Sequence, residues 1–222
     1  MTVLFADRRA AGQLLARAVL ALGLTDPVVL ALPRGGVPPG FEVARTLKAP
    51  LDILLVRKIG APGHQEYGIG AMVDGASPQV VIDAAAARMV GADQAYIDHE
   101  ISCQRAEIDR RRATYRTGPA IPLAGRTVVV VDDGIATGGT MRAALRALAQ
   151  AAPRRIVLAV PLAPREVLHD LRPLCDAVVC LASPDPFYAV GAHYGDFTQT
   201  RDAEVIALLA EARGNFCMEP GN

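Results

Sequence analysis

The sequence predicts an α/β fold in which a central, mainly parallel sheet is covered by helices on both faces. Short runs of β-branched and other apolar residues alternate along the chain with segments whose apolar residues recur at helical spacing. Most of the β-rich runs are apolar without interruption, which is typical of parallel strands buried on both faces. The chain has 222 residues, of which 51% are hydrophobic, so it is long enough for one domain with a substantial core.

The predicted elements follow one another in a regular order. The first is an amphipathic helix near the N-terminus, with apolar residues at positions 14, 15, 18 and 22. Strands are predicted at residues 28–32, 51–58, 69–75, 79–82, 126–133, 154–163 and 176–182. Further helices are predicted at residues 41–47, 84–116, 138–152, 165–171 and 202–212. Residues 57–70, rich in glycine and proline, are predicted as a loop, and residues 75–78 as a turn.

The composition argues against several classes of protein. With 23 basic and 23 acidic residues the net charge is zero, which leaves no electrostatic footprint for nucleic acid. The apolar N-terminal stretch is interrupted by charged residues, unlike a signal peptide, and no apolar run reaches the length of a membrane span. The four cysteines form no CxxC or CxxH pattern, so we expect free thiols in a soluble, cytoplasmic protein rather than a zinc site or a disulfide framework.

The most informative stretch is VVVVDDGIATGGT, residues 128–140. Because a buried carboxylate is costly, Asp132 and Asp133 are expected at the carboxyl end of a strand, where ligands bind in open α/β sheets. The three glycines that follow let backbone N–H groups surround a phosphate, and the next helix adds its N-terminal donors. Two carboxylates beside such a loop suit the hydroxyls of a ribose 5-phosphate or a hydrated Mg²⁺ ion. The stretch lacks both the Gly-Lys-Ser/Thr ending of a P-loop and the GxGxxG spacing of a dinucleotide site.

Residues 128–140 resemble the ribose-phosphate signature of the type I phosphoribosyltransferases, in which four apolar residues precede two acids and a Thr-Gly-Gly-Thr ending. The resemblance implies the type I fold, with a small hood, and phosphoribosyl pyrophosphate (PRPP) as a substrate. It also implies that Asp132 and Asp133 bind the ribose hydroxyls, that one of them stabilises charge at the anomeric carbon, and that they hold Mg²⁺ largely through substrate and water. The residues implied to bind the 5′-phosphate are Gly134, Ile135, Ala136, Thr137, Gly138, Gly139 and Thr140.

A second loop, LPRGGV at residues 32–37, is similar to the pyrophosphate loop of the same family. Arg34 offers a forked donor to phosphate oxygens, while Gly35 and Gly36 expose backbone N–H groups. A structural turn between a strand and a helix is the competing interpretation of a Gly-Gly pair.

A third loop, VRKIGAPGHQEYGIGA at residues 56–71, begins with Arg57 and Lys58 at a strand end, as the mobile catalytic loop of the family often does. By this resemblance both side chains bind pyrophosphate, with Lys58 as a point charge on the leaving group. The glycines and prolines suit a loop that closes over substrate and excludes water. His64 and Glu66 are either solvated or brought to the site when the loop closes.

The acceptor site is expected outside these three loops, in a hood and C-terminal segment at about residues 183–222 of a single domain that spans residues 1–222. Four of the ten Phe and Tyr residues fall between positions 187 and 197. Of these, Phe187, Tyr188 and Tyr194 are the candidate acceptor-binding side chains, through ring stacking and phenolic donors. An ordinary packing cluster explains the same pattern.

A helical insertion is predicted at about residues 84–118. Apolar residues at positions 97, 101, 108 and 115 form one stripe that must pack on something, and the opposite side carries glutamates and arginines. This segment is either an amphipathic helix with a solvated charged face, or a lid or dimer element with an arginine facing the pyrophosphate.

Over most of its length the chain resembles a bacterial group of stand-alone phosphoribosyltransferases without an assigned acceptor. The resemblance implies Mg²⁺-dependent transfer of a 5-phosphoribosyl group from PRPP to a nitrogenous acceptor, with release of pyrophosphate, and a homodimer is one assembly it allows. A sensing module that binds PRPP or a nucleotide without turnover is an alternative, as is a hydrolase or phosphorylase acting on nucleotide-like ligands. The presence of both Arg34 and Lys58 favours an enzyme, because a sensor of monophosphates needs no pyrophosphate loop.

Overall fold

The central sheet has five parallel strands, as described by a computed structural model of the chain. The structure describes residues 3–74, 78–115 and 118–217, without the side chains of residues 65, 66 and 215–217. The strands of this sheet are β1 (Pro27–Ala31), β2 (Leu51–Ile53), β6 (Thr127–Val131), β7 (Arg155–Leu162) and β8 (Ala177–Ala182). They lie side by side in the order β2-β1-β6-β7-β8. The predicted parallel sheet is therefore confirmed.

Helices cover both faces of the sheet, as the uninterrupted apolar strands predict. The helices are α1 (Arg8–Leu20), α2 (Val37–Leu47), α3 (Ala84–Met89), α4 (Gln94–Tyr115), α5 (Gly139–Gln150), α6 (Arg165–Leu171) and α7 (Asp202–Cys217). Along β6, Val129 and Val131 pack into the layer with α1, α2 and α7, whereas Val128 and Val130 pack into the layer with α5 and α6. The strand is thus buried on both sides, and its register with β1 and β7 brings the carboxyl ends of all three strands to one edge.

The predicted strand at residues 51–58 is wrong in one respect, because the chain changes sheets within it. The strand β2 ends at Ile53, and a new strand, β3 (Val56–Ala61), begins after two buried leucines. The strand β3 belongs to a separate three-stranded antiparallel sheet with β4 (His64–Val73) and β5 (Gln79–Ile82). An unbroken apolar run cannot indicate such a change, because both halves are buried.

The predicted loop at residues 57–70 is also wrong, since most of it forms the β3–β4 hairpin. Its glycines serve close packing rather than an irregular loop: a Cβ on Gly70 would lie 2.5 Å from the carbonyl oxygen of Val81. Only Gly63, at the hairpin turn, has a left-handed backbone, with φ of +70°. Of the predicted turn at residues 75–78, positions 75–77 lie outside the described residues.

The insertion consists of two helices rather than one, because the chain breaks near Gly91, whose φ is +69°. The predicted apolar stripe on α4 is confirmed, with Ile97, Ile108 and Tyr115 buried and Ile101 half-buried. One end of the stripe joins the core of the three-stranded sheet, and the other joins the core of the central sheet. The helix α4 therefore links the two sheets. Residues 116 and 117, which follow it, lie outside the described residues.

The segment between β8 and α7 packs against the first residues of the chain. The backbone N–H groups of Leu4 and Phe5 donate to the carbonyl oxygen of His193, and Gly195 donates back to Phe5 at 2.8 Å. The rings of Phe5 and Tyr194 lie 5.4 Å apart. In the described part of the chain, no helix combines the length and apolar character needed to cross a bilayer.

Candidate functional site

The two adjacent carboxylates lie immediately beyond the end of β6, at the carboxyl edge of the central sheet. The backbone N–H of Asp133 donates to Oδ1 of Asp132 at 2.9 Å, which fixes one carboxylate against the backbone of the other. The phenol of Tyr194 donates to the carbonyl oxygen of Asp133 at 2.6 Å. The side chain of Asp133 also accepts a hydrogen bond from Nε of Arg8, 2.6 Å from its Oδ2 atom.

The electrostatics of this pair favour the arrival of positive charge or of hydrogen-bond donors. Burial raises the pKa of Asp132 well above its ordinary value, and the neighbouring charge of Asp133 raises it further. Burial also raises the pKa of Asp133, although the Arg8 guanidinium opposes the shift. Burial similarly raises the pKa of the Tyr194 phenol, which therefore remains a donor. The strand end holds two carboxylates in a setting where a ligand's hydroxyls or a cation would stabilise their charged form.

The Arg-Gly-Gly loop that follows β1 is pressed against this strand end. A Cβ on Gly35 would lie 2.1 Å from Oδ2 of Asp133, and a Cβ on Gly36 would lie 2.7 Å from the carbonyl oxygens of both Leu32 and Val131. Only glycine fits either position without displacing a neighbour. The helix α2 begins at the next residue, with prolines at positions 38 and 39 in its first turn, where their missing N–H groups cost nothing. The sequence thus brings the second predicted loop into contact with the first.

The glycine-rich loop runs from the carboxylates into α5. Gly138 lies at the N-cap with φ of +77°, and a Cβ there would lie 2.6 Å from Cγ1 of Val167. Thr137 and Thr140 are exposed, and the first N–H groups of α5 lack partners within the helix. Ile135 differs from the rest of the loop, because its side chain is buried and its N–H donates to the carbonyl oxygen of Leu162 at 3.0 Å. Ile135 anchors the loop, and the exposed positions around it are available to an anion.

The hairpin carries its two predicted cationic residues to different places. Lys58 lies with Gly139 and Thr140 on a cavity of about 240 Å³ between the hairpin and the start of α5. Arg57 instead donates from Nε to Oε1 of Gln104 on α4, at 3.0 Å. Burial lowers the pKa of Arg57, and the nearby Arg111 adds to the effect. Lys58 is therefore adjacent to the glycine-rich loop, while Arg57 is engaged with the insertion.

A cleft of about 480 Å³ lies where the Arg-Gly-Gly loop meets Asp133. Its lining residues come from both ends of the chain and from the insertion: Arg8, Pro33, Arg34, Gly35, Arg111, Asp133, Val190, Phe197, Gln199 and Thr200. Arg34 is predicted from its motif. Of the others, Arg111 belongs to the arginine-rich end of α4. An arginine of this helix that faces the site is one of the two interpretations of the sequence.

Arg34 is held by an acidic residue at the start of α7. Its Nη1 lies 3.4 Å from Oδ1 of Asp202, and the same oxygen accepts a hydrogen bond from Tyr115 at 2.6 Å. Burial raises the pKa of the Tyr115 phenol, and the hydrogen bond to Asp202 raises it further. The last residue of α4 therefore bears on the orientation of the predicted pyrophosphate arginine.

Comparison with known proteins identifies the family. A family model described as a phosphoribosyl transferase domain matches residues 5–188. The chain belongs to the phosphoribosyl transferase family.

The relatives of this chain match nearly all of its length. A Mycobacterium tuberculosis protein (strain ATCC 25618 / H37Rv) named "Putative phosphoribosyl transferase Rv0571c" is 44% identical over 214 residues, which are 96% of this chain and 48% of that protein. The chain thus spans about half the length of the curated relatives it matches. The crystal structure of TT1426 from Thermus thermophilus is 46% identical and superposes with a TM-score of 0.81, covering 94% of this chain and 98% of that one.

The aromatic residues predicted for the acceptor lie in three different environments. Tyr194 is 5% exposed, and its hydroxyl is used by the backbone of Asp133, so it supports the carboxylates rather than presenting an open surface. The ring of Phe187 lies 5.6 Å from that of His193, within the packing of the segment between β8 and α7. Tyr188 is 68% exposed. The aromatic residue that lines the cleft is Phe197, which the sequence groups with these three without singling it out.

The oxygen atoms of Asp132 and Asp133 fit a magnesium ion that is bound mainly by other ligands. Carboxylate oxygens are the donors that Mg²⁺ prefers, and Mg²⁺ commonly keeps several waters and binds through substrate phosphates. Within the described residues, no group of three or more His, Cys, Asp or Glu side chains is arranged as a metal site. A hydrated ion held by one or two carboxylates does not require such a group.

Sequence reasoning missed Arg8, which connects the N-terminal helix to the carboxylates 125 positions further along the chain. The available signal is its place in the first turn of α1, beside Arg9 and with no acidic residue in that turn. Positive charge at a helix N-terminus opposes the helix dipole, so it needs a reason from elsewhere in the fold. For His64, the structure gives an exposed position at the start of β4, and the side chain of Glu66 lies outside the described residues.

Proposed function

We propose that the protein transfers the 5-phosphoribosyl group of PRPP to a nitrogen atom of a small-molecule acceptor, with release of pyrophosphate. The observation that carries the proposal is the convergence of the Arg-Gly-Gly loop, the two carboxylates and the glycine-rich loop at one edge of the sheet. The first two are so close that a Cβ at residue 35 or 36 would displace a neighbour. These three parts match the leaving group, the ribose and the 5′-phosphate of PRPP in the order of their atoms.

In this mechanism Asp132 and Asp133 accept hydrogen bonds from the ribose hydroxyls. The bond between the anomeric carbon and the pyrophosphate oxygen breaks as the bond to the acceptor nitrogen forms, and a nearby carboxylate stabilises the positive charge that develops on the sugar. The exposed N–H groups and hydroxyls of residues 136–140 bind the 5′-phosphate, with Gly134 and Ile135 holding the loop in place. Catalysis comes from positioning and from charge, with no covalent intermediate on the protein.

The leaving pyrophosphate is bound by Arg34 and by the N–H groups of Gly35 and Gly36. Lys58 and Arg57 approach it when the β3–β4 hairpin moves toward the cleft, which also excludes water. A Mg²⁺ ion held by the substrate phosphates and a carboxylate would neutralise the leaving group. We further propose that the protein acts in the cytoplasm. Cys103, Cys175 and Cys180 carry no disulfide, which suits a reducing compartment.

The test is calorimetric titration of PRPP, with and without Mg²⁺, into the native chain and into an Asp132→Asn, Asp133→Asn double variant. An Asp98→Asn, Asp170→Asn variant is the matched control, because both residues are exposed and the change in charge is the same. We expect the first pair of substitutions to abolish binding and the control pair to leave it intact. Binding that survives in the first variant, or no binding by the native chain, would overturn the proposal for the donor.

Turnover is measured separately, as pyrophosphate released when PRPP and a panel of nitrogenous acceptors are supplied together. Release that requires an acceptor supports the transferase. Tight binding with no release from any acceptor would instead support a sensing module that binds PRPP, and release without an acceptor would indicate a hydrolase.

A further inference from the structure

Arg8 is held in one orientation at the wall of the cleft. Its Nε donates to Asp133, its Nη1 donates to the carbonyl oxygen of Thr198 at 2.7 Å, and its Cζ lies 3.8 Å from the centroid of the Phe197 ring. The side chain is only 12% exposed. Among the described residues, none accepts a hydrogen bond from its remaining nitrogen, Nη2. A guanidinium fixed in this way loses little further freedom when it binds an anion.

Among the described residues, three arginines line the cleft, at positions 8, 34 and 111, together with the carboxylate of Asp133. Arg34 and Arg111 pair with Asp202 and Glu107, which do not line it. Arg8 pairs with Asp133 itself. If the proposed function is correct, Arg34 is accounted for by pyrophosphate, because it belongs to the Arg-Gly-Gly loop. Arg8 differs from Arg34, because it donates a hydrogen bond to Asp133, the carboxylate that we propose lies beside the ribose.

The Arg8 guanidinium disfavours the transition state of the proposed reaction when Asp133 alone has to neutralise it. The anomeric carbon becomes positive as pyrophosphate leaves, and Asp133 can stabilise that charge only to the extent that its own charge is not already paired with Arg8. An anionic group on the acceptor would pair with Arg8 and leave more of the Asp133 charge for the sugar. A neutral acceptor would leave the Asp133 charge shared between the guanidinium and the reacting carbon.

Among the described residues that line the cleft, none presents an open aromatic face on which a neutral planar base would stack. Phe197 is the aromatic residue among those that line it, and one face of its ring is covered by Arg8. On another side the ring lies against Gly191, where a Cβ would approach to 2.6 Å. Recognition by stacking is therefore weak here unless Arg8 moves, whereas recognition of an anion needs no rearrangement.

We infer that the acceptor is an anionic nitrogen compound, such as a heterocycle bearing a carboxylate, and that Arg8 binds its negative group. This inference rests on the proposed function for the donor half of the site, and it makes Arg8 the residue that determines acceptor specificity.

The test compares matched pairs of nitrogen heterocycles that differ only in bearing a carboxylate or the corresponding carboxamide. Imidazole-4-carboxylate with imidazole-4-carboxamide and pyridine-3-carboxylate with pyridine-3-carboxamide form such pairs. Affinities are measured in the presence of ribose 5-phosphate and pyrophosphate, which fill the donor site without reacting. In the native chain we expect each carboxylate that binds to do so at least about tenfold more tightly than its carboxamide.

The same ratio is then measured in Arg8→Gln and in Arg8→Lys, with thermal unfolding of each variant to establish that it is folded. Arg17→Gln is the control, because it changes the same charge at an exposed position on the same helix. We expect the ratio to fall toward one in Arg8→Gln, to take an intermediate value in Arg8→Lys and to be unchanged in the control. Using a ratio within each variant removes any effect of Arg8 on donor binding.

The inference is overturned if carboxamides bind as tightly as carboxylates, if no carboxylate binds to protein that binds ribose 5-phosphate, or if Arg8→Gln preserves the ratio. Direct titration of PRPP separates this failure from failure of the proposed function. PRPP binding with no preference for anionic acceptors contradicts only the role of Arg8, whereas absence of PRPP binding removes the proposed function together with this inference.

Discussion

Substituting alanine for the two adjacent glycines at positions 35 and 36 should have different effects. The substitution at position 35 should weaken ligand binding, whereas the one at position 36 should lower the stability of the fold. At position 35 the added Cβ would lie 2.1 Å from Oδ2 and 2.7 Å from Cγ of Asp133. The neighbour that must move is the end of a side chain, so the fold can adapt. We therefore expect Gly35→Ala to fold with nearly native stability and to bind PRPP poorly.

The size of the binding effect follows from the distance. Because real Cβ contacts below 3.0 Å are essentially never seen, the carboxylate oxygen has to retreat by about 0.9 Å. A shift of that size would stretch its 2.6 Å contact with Arg8 out of hydrogen-bonding range and take the carboxylate away from the proposed ribose position. A hydrogen bond to a charged group contributes about 1.5–3 kcal/mol, so PRPP affinity should fall by roughly 10-fold to 150-fold.

At position 36 the obstacle is the backbone itself. A Cβ there would lie 2.7 Å from two carbonyl oxygens, at the ends of two neighbouring strands, and 2.9 Å from Cα of Asp132. Overpacking of this kind typically costs about 1–3 kcal/mol. In a chain of this size each kcal/mol lowers the melting temperature by about 2–4 °C. Gly36→Ala should therefore lose several degrees of thermal stability.

Differential scanning calorimetry and titration of PRPP, applied to both variants, separate the two effects. Gly214→Ala is the control, because a Cβ there meets nothing within 4 Å and the residue lies in α7. It should keep both native stability and native affinity. The reasoning is refuted if Gly35→Ala binds PRPP as the native chain does, or if Gly36→Ala melts at the native temperature.

Three further predictions concern the charges around the cleft. Asp132→Asn should raise the melting temperature of the unliganded protein by about 2–4 °C, because it removes one of two adjacent half-buried charges. This shift corresponds to a gain on the order of 1 kcal/mol in the free energy of unfolding. A lower melting temperature would contradict the prediction. The guanidinium groups beside Glu107 lower its pKa to about 2, so its pairing with Arg111 should persist as the pH falls through 4.5 and be lost only near 2. An NMR titration of that carboxyl with a midpoint near 4.5 would refute the pairing. Tyr115→Phe should weaken pyrophosphate binding by about threefold to tenfold in calorimetry, because it removes a hydrogen bond from Asp202, which also holds Arg34 of the proposed pyrophosphate loop. Unchanged affinity would show that this contact does not orient the arginine.

The sequence was sufficient to predict those parts of the site whose residues are contiguous. Asp132 and Asp133 follow a run of valines whose only stable placement is the middle of a sheet, so their position at the strand end follows from local pattern. The Arg-Gly-Gly loop is predicted for the same reason, since a strand, a tight turn and a helix follow one another directly. The contact between the Arg-Gly-Gly loop and the loop that begins at Asp132 follows from the rule that the carboxyl ends of parallel strands lie at one edge of the sheet.

The hairpin and Arg8 could not be predicted in the same way. Glycine at positions 68 and 70 favours a loop when read locally, but here it permits close approach of neighbouring strands and of the Lys58 side chain. The interaction of Arg8 with Asp133 spans 125 positions, and neither residue carries a local sign of its partner. Arg57 has the residue type expected of a phosphate ligand, and only the fold determines that its guanidinium meets Gln104.

The helix α4 connects the β3–β4 hairpin to the cleft. Its 22 residues form a rod about 33 Å long. Near one end, the hydroxyl of Tyr96 donates to the carbonyl oxygen of Gly60 on the hairpin, and at the other end Tyr115 contacts Asp202. A helix resists compression along its axis, so a displacement of the hairpin that pulls on Tyr96 also tilts or slides the end that carries Arg111 and Tyr115. Under the proposed function, movement of the hairpin toward the cleft and reorientation of Arg34 and Arg111 would be mechanically coupled through this helix.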